Sequence, residues 1–354
     1  MTPIASPRPR PEPVRLDFPH TEPPVAGKPM EVAPGILWLR LALPYALDHV
    51  NLYLFEDAGG WTLFDTGLGD DRTRAAWDEL CGTLLNGRPI TRLIVSHAHP
   101  DHVGMAGWLH ERFAPPLLMP RSEYLLSQLL QRQRTPEVEA GEAAHYRACG
   151  VGEEDVGHLL KRGLNYLTRT TGLAHSNRRL ASGDRLSIGG RDWRVITGGG
   201  HSLEQAMLWC EADRIFLSAD QVLARISPNV SVYSMEPQAD PLGGYLDSLA
   251  ELGAMVGEDA LVLPGHNLPF RGLPRRTAEL TEHHALRCER LAVACGEAPR
   301  SCAELVPVLF PRHLDPHQLG FAIGEALAHL NHMVSTGTLA VGEGGDGVLR
   351  YRTL

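Results

Sequence analysis

The chain has 354 residues, 43% of them apolar, and its 33 Lys and Arg against 42 Asp and Glu leave a formal net charge of −9. A chain of this length buries a sizeable core and is expected to form about two domains, and its charge gives no electrostatic reason to expect a polyanionic partner. A chain of this size does not need disulfide staples, and its six scattered cysteines, without a CxxC pair, read as the reduced thiols of a cytoplasmic protein.

Residues 1–34 are rich in proline and arginine, as in Pro7-Arg8-Pro9-Arg10-Pro11, and lack the apolar stretch of a secretory signal. They are expected to be an extended tail on the domain surface, or disordered. No segment approaches the roughly 20 apolar residues of a membrane span, so no membrane role is expected. Short strands follow at 36–41, 50–55 and 61–64, divided by turn residues such as Gly59-Gly60. Ala75, Trp77, Leu80 and Leu84 give residues 70–85 helical periodicity.

The apolar run Leu93-Ile94-Val95 leads into Ser96-His97-Ala98-His99-Pro100-Asp101-His102-Val103-Gly104. Three imidazoles and a carboxylate at the end of a buried strand are costly to desolvate unpaired, and a divalent cation is the usual compensation. Nitrogen and carboxylate donors suit zinc, with iron or manganese as alternatives. His97 and His99, two apart on extended chain, point to one side; Asp101 and His102, past the proline, can turn to a second position.

A helix is expected after Gly104, and residues 121–175 form an insertion with helical spacing at 122–132, 137–149 and 154–170. It is expected either to overhang the site as a lid, with Tyr146, Arg147, Arg162 and Tyr166 lining it, or to pack as an ordinary elaboration on the domain edge. Strands are expected at 185–188, 193–196, 207–210 and 215–218, then a helix over 245–256. Asn229, Tyr233 and Met235 are candidates for the pocket floor. Strands followed by strand–helix units, twice over, predict two sheets flanked by helices, an αββα sandwich over residues 35–272. Residues 273–354 read as a separate module: helices over 275–295, 302–309 (N-capped by Ser301) and 316–334, then two strands at 338–341 and 348–352. Ten further histidines, His110, His145, His158, His175, His283, His284, His313, His317, His329 and His332, are expected to pack or to be solvated, with one or two near the substrate.

The pattern His-X-His-X-Asp-His resembles the metal-binding motif of the metallo-β-lactamase fold superfamily, and the chain looks most like its glyoxalase II-like hydrolases. Four more segments match in the family's order: Phe64-Asp65-Thr66-Gly67, Gly200-His201-Ser202, Ser218-Ala219-Asp220 and Pro264-Gly265-His266. The resemblance implies two metal ions, with His97, His99 and His201 on the first and Asp101, His102 and His266 on the second. Asp220 would bridge them opposite a water or hydroxide that attacks the substrate. Asp101 and Asp65 are the candidate catalytic carboxylates, Asp65 by orienting a ligand rather than as a ligand itself. The third motif departs from the family in reading Gly198-Gly199-Gly200 where a proline often precedes Gly-His, which loosens that loop.

Helices followed by a hairpin resemble the winged helix that several hydrolases of this superfamily carry at the C-terminus. The helix over 316–334 holds no Lys or Arg and does hold Glu325, so it is a poor reader of nucleic acid. The module is expected to pack against the catalytic domain or another subunit of a homo-oligomer. The reaction expected is hydrolysis of a thioester, lactone or other carboxylic ester of a small acyl substrate. The alternatives are an RNA endonuclease or phosphodiesterase, and a mononuclear iron, sulfur-oxidising relative. Diiron oxygen-reducing relatives carry a glutamate where His99 stands and a flavin domain, neither of which occurs here.

Overall fold

The structure, a computed structural model, describes residues 13–85, 87–132, 135–162 and 166–354, excepting the side chains of Arg162 and His317. The first sheet is ordered β1 (Met30–Ala33), β2 (Ile36–Ala42), β3 (His49–Asp57), β4 (Gly60–Phe64), β5 (Ile90–Ile94), β6 (Leu117–Pro120) and β7 (Arg178–Leu180). Its first four strands meander antiparallel and its last four run parallel. The first two parallel steps are bridged by α1 (Asp71–Gly82) and α3 (Ala106–Phe113) and the third by the insertion, because parallel neighbours need a crossover. The second sheet is ordered β12 (Leu261–Pro264), β11 (Ile215–Ala219), β10 (Gln205–Cys210), β9 (Arg191–Gly198) and β8 (Arg185–Ile188), with α7 (Pro241–Met255) crossing between β11 and β12.

Alternation in the strands explains the layering. In β3, Tyr53 and Phe55 enter the core between the sheets, while Leu52 and Leu54 enter the core under α1 and α3. In β10, Leu208 faces the sheet interface with Leu217 and Leu263, while Met207 and Trp209 face α7. Side chains two apart share a face, so strands covered on both sides are apolar throughout. The αββα sandwich follows, as expected.

The chain departs from expectation in three places. Part of the segment read as tail is a strand: β1 pairs with β2 across a turn at Gly35 (φ 70°), and buried Val32 anchors it. Residues before it are also tied down, with Asp17 and Arg271 exchanging backbone hydrogen bonds. The insertion forms α4 (Arg121–Leu130), α5 (Pro136–Ala148) and α6 (Glu153–Arg162), the last ending well short of Thr170. Residues 166–168 turn instead, where the Tyr166 hydroxyl donates to the Ala98 carbonyl.

The C-terminal region contains α8 (Leu273–Glu297), β13 (Arg300–Ser301), α9 (Cys302–Leu309), α10 (Pro316–Ser335), β14 (Leu339–Glu343) and β15 (Leu349–Thr353), with the strands ordered β13-β15-β14. Ser301 caps α9 in a full capping box with Glu304. The short β13 adds a third strand to the expected hairpin. The region is not walled off: Leu280, Leu305, Ile323 and Leu330 share one continuous core with Phe216, Val262, Leu249 of α7, and Val156 and Leu159 of α6. No described helix is long and apolar enough to cross a membrane.

Candidate metal centre

The ligand candidates all emerge at one end of the two sheets. His97 and His99 lie on the loop after β5, and Asp101 and His102 occupy α2 (Pro100–Val103), opened by Pro100 at its first position. His201 follows β9, Asp220 follows β11 and His266 follows β12. Their donor atoms converge in three groups, each within 4.8 Å: His97, His99 and His201; Asp101, His102 and His266; and His97, His102 and Asp220. Asp220 stands between the first two groups, 3.4 Å from His201 Nε2, 3.1 Å from His266 Nε2 and 3.5 Å from His102 Nε2. The seven side chains singled out from the motifs are thus brought together.

The two groups differ in electrostatics. Burial, then the neighbouring imidazoles, holds His97 well below its usual value, and burial with His201 takes His99 down to about 3. Burial also opposes a charge on His102 and His266, but the carboxylates of Asp220 and Asp101 overcome it. His102 is driven well above its usual value and His266 to about 10. Burial works against ionised Asp220 and Asp101 too; the facing His266 and His102 win and hold both carboxyls low. His97 and His99 are thus kept as neutral imidazoles, whereas His102 and His266 are paired with the carboxylates of Asp101 and Asp220.

Second contacts fix the rings. Asp65 accepts from the Ser96 amide at 2.7 Å and its hydroxyl at 2.9 Å, and lies 2.8 Å from His102 Nδ1. It is fully buried, so its part is positioning, and it reaches both halves because the Ser96 hydroxyl also contacts His97 Nδ1 at 2.9 Å. His266 Nδ1 lies 2.7 Å from the His49 carbonyl, and Asn51 Nδ2 donates to the Pro264 and Asn267 carbonyls at 3.0 and 2.9 Å. With Nδ1 occupied, Nε2 of each ring is left to face the centre. A Cβ at Gly265 would come within 2.1 Å of Asp220 Oδ1, so only glycine fits there. Gly200 has φ 102° and abuts Tyr245, so the glycine run of the third motif is packed against α7 rather than loose.

More distant elements also reach the three-histidine half. From α4, Glu123 accepts from the amides of Ala98 and Glu204 at 2.8 and 2.7 Å. The Asn229 carbonyl lies 2.8 Å from His201 Nδ1, and the Asn229 side chain donates to Glu325 of α10 at 3.2 Å. Glu325 is paired with Arg287 of α8.

Of the residues expected to touch substrate, Asn229 is at the centre but works through its backbone, and Tyr166 holds the ligand loop. Burial pushes the Tyr166 hydroxyl up to about 12, so it remains a donor. Tyr233 and Met235 are exposed on the segment that continues from Asn229. Arg147 pairs with Glu153, and Tyr146 packs on the core that α5 and α6 share with the C-terminal region. The Arg162 side chain lies outside the described residues. The sequence reading missed Glu123, Asn51, His49, Arg287 and the Tyr45–Arg169 pair, in which the Tyr45 hydroxyl accepts from the guanidinium and lies within electrostatic reach of Asp101. Asn51, a buried polar residue within the apolar run Val50–Phe55, carried a usable signal; the others did not.

The residues present fit a resident cation. His102 Nε2, His201 Nε2 and Asp220 Oδ1 are buried and lack a hydrogen-bond partner among the described residues. Such orphaned atoms cost about 1–3 kcal/mol each, and converging imidazole nitrogens and carboxylate oxygens are the donor set that divalent ions take.

Comparison with known proteins places the same residues in a family context. The sequence profile described as "Metallo-beta-lactamase superfamily" matches residues 45–266, and that described as "Metallo-beta-lactamase-like, C-terminal domain" matches residues 288–354. A β-lactamase domain protein from Burkholderia ambifaria is 42% identical, with 96% of this chain and 98% of that one aligned and a TM-score of 0.89. A metallo-β-lactamase family protein from Thermus thermophilus is 28% identical over 92% of this chain and all (100%) of that one, with a TM-score of 0.78. A metallo-β-lactamase from Pontibacter korlensis, at 15% identity over 72% and 97% of the two chains and a TM-score of 0.50, shares the fold alone. Among curated proteins none matches the chain significantly.

Proposed function

Since the chain belongs to the metallo-β-lactamase superfamily, we propose that it is a two-metal hydrolase of carboxylic ester-type bonds, with a thioester or lactone as substrate. His97, His99 and His201 would hold one ion, Asp101, His102 and His266 the other, and Asp220 would face both. The donor set favours zinc, with iron or manganese as substitutes. When bound, such ions supply a water of lowered pKa and a Lewis acid for the scissile carbonyl.

The chain's own residues do the rest. Asp65, the His49 carbonyl and the Asn229 carbonyl fix His102, His266 and His201 so that no ring has to reorganise during the reaction. Tyr45, held by Arg169, lies within electrostatic reach of Asp101, and exposed Tyr233 and Met235 would give an acyl chain apolar surface. A cytoplasmic location fits six cysteines that form no disulfide.

One observation carries the preference for a carbonyl over a phosphodiester. The C-terminal region, which has the element order of a winged helix, is linked to the centre by buried Glu325, which is paired with Arg287 and holds the Asn229 side chain, and its α10 carries no Lys or Arg. Phosphate recognition needs cations at that face. The test is a panel of acyl-CoAs, glutathione thioesters, lactones, bis-p-nitrophenyl phosphate and RNA with defined metal. Turnover of a thioester or lactone well above the phosphodiester is expected. Cleavage of RNA or the phosphodiester with no acyl hydrolysis overturns the reading.

A further inference from the structure

We propose that Glu123 is the positioning residue that sets the spacing of the three-histidine half of the metal centre, an inference that rests on the metal reading above. The three histidines arrive on two separate loops: His97 and His99 after β5 of the first sheet, His201 after β9 of the second. One backbone bond joins the sheets beside these loops, from the Ala206 amide of β10 to the Ser96 carbonyl at 2.9 Å. Glu123 adds a side-chain bridge closer to His99 and His201. Its Oε2 takes the amide of Ala98, the residue between His97 and His99, and its Oε1 takes the amide of Glu204, three residues beyond His201.

The carboxylate is 0% exposed and has no arginine or lysine partner among the described residues. A buried anion without a counter-charge is costly, and a side chain needed only to dock α4 could be apolar. What the carboxylate alone provides is two acceptor oxygens on a rigid plane, each making a strong bond to a loop amide. The adjoining residue continues the join, since the Ser122 amide and hydroxyl donate to the Glu204 carboxylate at 3.2 and 2.9 Å. The insertion therefore contributes to the centre at its first turn, by holding ligand loops. Its later helices pack elsewhere, in the core shared with the C-terminal region.

The test measures zinc and cobalt(II) binding by chelator competition and elemental analysis, with the cobalt absorption spectrum as a report on geometry. Wild type, Glu123→Gln, Glu123→Asp and Ser122→Ala are compared as full-length chains with matched circular dichroism. Glutamine keeps the shape but turns an NH2 toward one of the two amides. Aspartate keeps the charge but is too short to span both loops. Each is expected to weaken one of the two binding steps at least tenfold and to alter the cobalt spectrum, leaving the other step intact. Ser122→Ala is expected to bind both ions as wild type. Wild-type affinities in the glutamine or aspartate variants overturn the proposal. Equal loss in Ser122→Ala also overturns it, because the effect would then belong to α4 docking in general. Failure of the wild type to bind metal would instead sink the metal reading, and a null substrate panel leaves this result untouched.

Discussion

The two halves of the metal centre are supported from opposite directions. Asp101, His102 and His266 rest on the sandwich itself: Asp65 at the end of β4, and the His49 carbonyl and Asn51 in β3. His97, His99 and His201 are additionally strapped from outside by Glu123 of α4 and by the Asn229–Glu325–Arg287 chain that begins in α8 and α10. The core-held half pairs carboxylates with imidazoles and is fixed by the sheets. The strapped half has only imidazoles and depends on elements added around the sandwich. The added segments thus act as part of the ligand scaffold.

The largest expected effect tests what the halves have in common. Asp65→Asn leaves the left-handed backbone at φ 66° comfortable, since Asn tolerates that region. It removes the acceptor that serves both His102 and, through Ser96, His97. Metal affinity at both steps is expected to fall about 10–100-fold by chelator competition, and loss at one step alone would contradict the shared role.

Arg287→Met tests the strap. It leaves Glu325 buried without its cation, so unfolding stability is expected to drop by about 3 kcal/mol in urea titrations. Because Glu325 also holds Asn229, the step belonging to the three histidines is expected to weaken, and the other step is not. Equal weakening of both would erase the distinction between the halves.

A third prediction concerns pH. His284 and His329 lie buried with Nδ1 and Nε2 3.0 Å apart, and His329 Nδ1 contacts the Glu325 carbonyl at 2.7 Å. Tyr245 of α7, His283 and Arg287 of α8 and His332 of α10 surround them. Burial, then the facing cations and imidazoles, takes His284 well below its usual value; burial takes His329 to about 3. As pH falls below about 6.5 the unfolded chain binds protons that the folded chain refuses, so stability is lost on the acid side. Each imidazole contributes about 1.4 kcal/mol per pH unit there. His329→Leu is expected to flatten the slope of unfolding free energy between roughly pH 6 and 4 in metal-free protein, whatever it does to the absolute value. An unchanged slope would show that the pair does not stay neutral.

The ligands of both halves were legible, because they sit in motifs that follow apolar strands, and so was Asp65, which closes a strand that reads as one from its own residues. The straps left no such mark. Glu123 sits among Ser122, Tyr124 and Leu125 as an ordinary acid of an amphipathic helix, and only the fold brings it to Ala98 and Glu204. Asn229 acts through a carbonyl, which every residue has. Glu325 read as a charge against nucleic-acid binding, when its partners lie 38 and 96 positions away. The short strands β1, β6, β7 and β13 escaped because two to four residues carry too little periodicity.

The core shared by the C-terminal region, the insertion and the second sheet bears on how such chains can be recombined. Profiles that match 45–266 and 288–354 separately suggest two exchangeable parts. Cutting between them would strip the apolar face of α8 and open the wall of Phe216 and Val262 to water. It would also remove the anion that steadies Asn229. A chimaera would have to inherit α8, α10, the insertion and the loop at Asn229 as one unit, because the boundary drawn by sequence similarity crosses a surface that does not exist in the folded chain.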